Sequence, residues 1–150
     1  MKRAPVLFIL AAVAFAASAG TFAWLMGRYL PGYPAAAMFM DASVIAKLAI
    51  MLAQALTFGA LVLGVIGLFV RSGAATFRLL LMLIAAASAG LGLMAALYGW
   101  MIIQAAIRAV GPASLEITAP GYAEALLALS VGLFGALVAL GFRALLGRRA

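Results

Sequence analysis

Four long apolar runs, parted by short linkers that hold nearly all the charge, constrain this chain more than any other feature. The first is "APVLFILAAVAFAASAGTFAWLM" (4–26) and the second is approximately 44–70, built on "LAIMLAQALTFGALVLGVIGLFV". The third is "LLLMLIAAASAGLGLMAALYGWMII" (79–103) and the fourth is approximately 119–142. A bilayer core of roughly 30 Å is crossed by about 20 helical residues, and each run reaches that length. In lipid a helix satisfies its backbone hydrogen bonds within its own segment, and no alternating strand pattern is present, so the expected fold is all-α. The chain reads as one polytopic transmembrane domain (1–150) with four spans.

Composition agrees with that reading. Of 150 residues, 69% are hydrophobic and 9% are charged, too few polar groups to clothe a water-soluble domain. Lipid must therefore meet most of the surface. Cys and His are both absent, which removes disulfides, the usual haem and zinc ligand sets, and Ser–His or Cys–His nucleophiles. No paired carboxylates, nucleophile–base pair or phosphate-binding glycine loop can be assembled, so no enzyme and no cofactor is expected. The net charge of +7 sits at the ends of apolar runs, where it orients spans and meets anionic headgroups, and nucleic-acid binding is not expected.

The linkers set the topology. "GRYLPGYPAAAMFMD" (27–41) reads as an interfacial loop, "RSGAATFR" (71–78) as a tight turn, and "RAVGPASLEITAP" (108–120) as a loop whose Thr118 or Ala119 caps the last span. Lys2, Arg3, Arg71, Arg78, Arg143, Arg148 and Arg149 fall on one side. Arg28, Lys47 and Arg108 fall on the other, with the three acids Asp41, Glu116 and Glu124. The positive-inside rule then places both termini and the 71–78 turn in the cytoplasm, as expected of a multi-pass membrane protein. "MKR" followed by an apolar core and "AASAG" also fits a cleaved secretory signal, which would leave three spans; the continuation of the run to Met26 favours a retained helix.

Glu124 is the residue that needs explaining. Steps of three and four along a helix put it on one face with Ala128, Gly132, Gly135 and Ala139. Such a small-residue face lets another backbone come close, so the carboxylate is expected along a packing seam or cavity and not in open lipid. An alternative is that Glu124, roughly 7 Å inside the span, complements the dipole of its own helix N-terminus. Ala85, Ser88, Gly92, Ala96 and Gly99 form a second small stripe on the third span, expected to pack against the fourth with Ser88 and Ser130 as polar contacts in the seam. Gln54 and Thr57, one turn apart, are expected to form interhelical hydrogen bonds. Lys47 and Arg108 snorkel to the interface and are placed to pair with Glu124 or Glu116. Trp24, Tyr29, Tyr33, Tyr98, Trp100 and Tyr122 fit an aromatic belt on that side.

The fourth span, "TAPGYAEALLALSVGLFGALVA" (118–139), resembles the MotA/TolQ/ExbB proton-channel family. Ala119, Pro120, Gly121, Ala123, Glu124, Ala125, Leu126, Gly132 and Leu133 match the signature of its ExbB and TolQ members. In "GLMAALYGWM" (92–101), Gly92, Leu93, Gly99 and Met101 are similar to the preceding span of the family. The resemblance covers about residues 41–146. It implies a homo-oligomer around a single-span membrane partner carrying an intramembrane aspartate, with Glu124 and Ser130 on the proton path or partner contact. It implies a subunit of a transport or energy-transducing complex linked to the proton-motive force. The chain departs from the pattern in the short 71–78 turn, where the family has a cytoplasmic domain, and in Ala96 and Leu129, which stand where two pore threonines are found. Two other functions are compatible with the residues: a non-conducting structural or assembly subunit, and a small proton-coupled exporter.

Overall fold

The computed structural model describes residues 3–70 and 73–148. Lys2, Arg71 and Arg149, counted above in the topology, lie outside the described residues, as does the side chain of Arg3. The protein is all-α: α1 (Arg3–Tyr29), α2 (Ala35–Asp41), α3 (Val44–Phe69), α4 (Ala74–Val110) and α5 (Leu115–Gly147). Four of these helices are long and apolar enough to cross a membrane. The fifth, α2, lies inside the segment expected to be an irregular loop. Pro34 at its N-cap, with φ −72°, presets the first turn, and "AAAMFM" continues it with good helix formers while Met38 buries itself.

Two further boundaries differ from expectation. At about 1.5 Å per residue the 37 residues of α4 extend some 55 Å, well past a bilayer core, because nothing in "AATFR" or "QAAIRAV" breaks the helix before Gly73 and Gly111. Both glycines have positive φ, at 83° and 94°, where a Cβ would be strained. On α5 the cap is Ser114, not Thr118 or Ala119, so Pro120 falls inside the helix. Thr118 instead turns its hydroxyl back onto the Ser114 carbonyl at 3.2 Å.

α5 is the central element, carrying α1, α3 and α4 on its sides. Pairings along the helices fix their directions. Phe15 meets Phe134 with ring centroids 5.9 Å apart, and Ser18 meets Ser130, so α1 runs antiparallel to α5. Gly92 lies against Ala128 and Gly132, and Gly99 against Ala125, so α4 is antiparallel as well. Gly64 faces Phe142 and Gly67 faces Leu146, which makes α3 parallel to α5. This up–down alternation is what four successive spans with short turns must produce. Large side chains outside the seams stay exposed for lipid, among them Leu10, Phe58 and Met94.

The α4–α5 seam is the closest contact. A Cβ built on Gly132 would lie 2.6 Å from the Ser88 carbonyl oxygen and 2.7 Å from the Gly92 Cα, so only glycine fits. Gly135 fills the same role beside the Ser88 and Thr57 hydroxyls. Ala128 and Ala139 are buried along the seam, while Ala96 and Gly99 are half-buried. With no hydrophobic drive between helices in lipid, such backbone approach is a principal source of cohesion.

Candidate functional site

The site is built where the heads of α3 and α5 meet. α3 starts at Ser43, its N-cap, and the Ser43 hydroxyl accepts a hydrogen bond from the Ala46 N–H at 3.3 Å. In a capping box the third helical residue is Glu or Gln and reaches back to the N-cap N–H. Here that position is Ala46, which has no polar group to offer. Glu124 of α5 supplies the missing acid instead: its Oε1 accepts from the Ser43 N–H at 3.0 Å and from the Ser43 hydroxyl at 2.8 Å.

Chemically this is a charge-assisted tie. A carboxylate beside a helix N-terminus meets the positive end of the helix dipole, and both donors point at one oxygen. The arrangement forms a short chain, Ala46 N–H to Ser43 hydroxyl to Glu124. The carboxylate thus serves the helix beside it, and not the start of its own helix. Glu124 is half-buried. Neither Lys47 nor Arg108 pairs with it or with Glu116 among the described residues.

Ser130 does not join Glu124. It is buried on another side of α5 and donates to the Ser18 hydroxyl of α1 at 3.1 Å, while Ser18 donates to the Phe15 carbonyl at 3.1 Å. Ser130 therefore lies outside the α4–α5 seam. Ser88 alone occupies that seam, fully buried, donating to the Gly132 carbonyl at 3.0 Å. The expected interhelical bonds of the α3 pair are also absent. Thr57 satisfies its own Ala53 carbonyl at 2.7 Å, and Gln54 is exposed with no hydrogen bond among the described residues.

At the interface end of α1, Trp24 packs edge-on against Tyr29 with centroids 5.6 Å apart, and the Gln104 amide donates to the Tyr122 hydroxyl at 3.4 Å. Tyr33 donates its phenol to Asp41 across α2. That hydrogen bond, then slight desolvation and the Asp41 charge, raises the Tyr33 pKa above the ordinary tyrosine value. Among the described residues no three acidic side chains gather to hold a metal ion.

Sequence reasoning missed Ser43 and Ser18. Ser43 carried a signal, since a serine directly before an apolar helical run is an N-cap pattern. Ser18 carried none, because its bond partner is 112 positions away. No protein-family model matches the chain, and neither a characterised protein nor a solved structure matches it.

Proposed function

We propose that this chain is a non-conducting structural subunit of a membrane assembly, with Glu124 acting as a tie between α5 and the head of α3. The supporting observation is the double acceptance by Glu124 Oε1 from Ser43. A carboxylate so engaged stabilises a helix end and offers no route onward. The residues that follow it on α5 support the same reading, because Gly132 and Gly135 press against α4 too closely to admit water. The resemblance of the fourth span to ExbB and TolQ supports a bacterial inner membrane location, and the charge pattern of the sequence supports a cytoplasmic C-terminus.

A second reading keeps a role in a complex linked to the proton-motive force, as the resemblance to ExbB and TolQ implies. The observation that favours it is that both bonds fall on Oε1, while Oε2 accepts none among the described residues. A half-buried carboxylate with one open oxygen, inside the segment "APGYAEAL", is placed to meet a partner span or a proton.

One experiment separates the two. Liposomes holding the purified chain, alone and with its co-purified neighbours, receive an imposed pH gradient. For a structural subunit, the gradient decays at the rate of empty liposomes for both the natural chain and Glu124→Gln. Faster decay in the presence of a single-span neighbour, abolished by Glu124→Gln, would overturn the first reading and establish the second.

A further inference from the structure

α1 and α3 both pack on α5 and leave a cleft of about 470 Å³ between them. Phe15 and Ala19 of α1 form one wall, Gln54 and Phe58 of α3 the other, and Ser130 and Phe134 of α5 the floor. Among the described residues, Gln54 is the one polar side chain of this cleft with no hydrogen-bond partner. Ser130 is engaged with Ser18, and nearby Thr57 with Ala53. It is the eleventh residue of α3, so it lies about 15 Å along the helix from its start, near the middle of a bilayer core. An amide at that depth is out of reach of phospholipid headgroups and of water, and leaving it unpaired in hydrocarbon is costly.

We infer that the cleft is the docking surface for a second copy of this chain, in which the two Gln54 amides pair with one another. A carboxamide carries both donor and acceptor, so it is its own complement. Two copies inserted with the same topology are related by a two-fold axis along the membrane normal, and residues near that axis meet their own counterparts. Gln54 then bonds Gln54 of the second copy at a common depth. Phe58, 69% exposed and one turn further on, is covered by the same contact. This inference rests on the reading of the chain as a subunit of an assembly and names one of its interfaces.

The chain has no cysteine, so a single introduced one reports contacts cleanly. Leu61 lines the cleft two turns from Gln54, and Met94 is exposed on α4 and stands apart from it. In liposomes under mild oxidation, full-length Leu61→Cys is expected to form a disulfide-linked dimer, and Met94→Cys is not. Adding Gln54→Leu to Leu61→Cys should weaken self-association by roughly tenfold, and Gln54→Asn, which keeps the amide, should restore most of it. The inference is overturned if Leu61→Cys stays monomeric, if Met94→Cys links as well, if Gln54→Leu changes nothing, or if the cleft is found occupied by a co-purified apolar molecule. Should Leu61→Cys stay unlinked while the natural chain still sediments as an oligomer, this interface is wrong and the assembly reading survives. A chain that sediments as a monomer, and that co-purifies with no other membrane protein, removes both.

Discussion

Glu124 completes, from 81 positions away, the capping box that opens at Ser43. The helix that needs the acid and the helix that supplies it are different spans, so a local stabilising motif has become a tertiary fastener. Its loss should be graded by chemistry. Glu124→Ala removes an ionic acceptor of two hydrogen bonds and is expected to cost about 2 kcal/mol. Glu124→Gln keeps an acceptor oxygen without the charge and should cost about 1 kcal/mol. Thermal or chaotrope unfolding in a fixed detergent, with Ser43→Ala as companion, measures the order. Equal stability of Glu124→Ala and the natural chain would remove the tie.

Glycine at 132 is required by backbone, not by side chains. The Ser88 carbonyl oxygen and the Gly92 Cα stand within 2.7 Å of where an alanine Cβ would sit, and neither can swing aside as a flexible side chain can. Gly132→Ala should therefore force α4 and α5 apart and destabilise the protein by about 1–3 kcal/mol. Gly90, with nothing within 4 Å of its would-be Cβ, is the control. Gly90→Ala should be neutral or slightly stabilising, since alanine is the better helix former.

How much of this was legible beforehand depended on whether the cause was local. The spans were visible because a bilayer imposes a length and a hydropathy on each of them separately. The small stripes around Gly92 and Gly132 were visible because helical spacing gathers residues on one face whatever they face. The target of Glu124 was not, because the need it meets belongs to Ser43 on another helix, and no spacing rule links the two. Ser130 stands two residues from Ala128 and from Gly132, so it points about 160° away from both on the helix, toward α1. The length of α4 also escaped the hydropathy reading, since polar helix ends continue beyond the lipid without any breaker.

Tyr33 offers a pH test outside the spans. Its phenol donates to Asp41, and this hydrogen bond, with minor desolvation and the nearby negative charge, holds the Tyr33 pKa above about 10. The folded pKa is the raised one, so the contribution of the pair is fully present below the unfolded tyrosine pKa. It is lost as pH climbs through the folded value. A tyrosinate absorbance titration of the folded protein, taken as the difference from Tyr33→Phe, should show a late-titrating phenol. Asp41→Asn should bring that titration back toward the ordinary range, and an unchanged curve would discount the pairing.

The link between Ser18 and Ser130 is the only side-chain hydrogen bond joining α1 to the bundle among the described residues, and it lies in a buried contact. Hydroxyl pairs between membrane helices contribute about 0.6 kcal/mol on average, because each serine can also bond its own helix backbone when unpaired. Ser18 already does so, through the Phe15 carbonyl. A double-mutant cycle of Ser18→Ala and Ser130→Ala should therefore return a coupling of about 0.5–1 kcal/mol, with each single variant folding normally. Protease access to α1 should rise together with the loss of stability, because α1 leans chiefly on α5 and has little else to hold it. A coupling near zero would mean that α1 is held by the Phe15–Phe134 contact and its apolar neighbours alone.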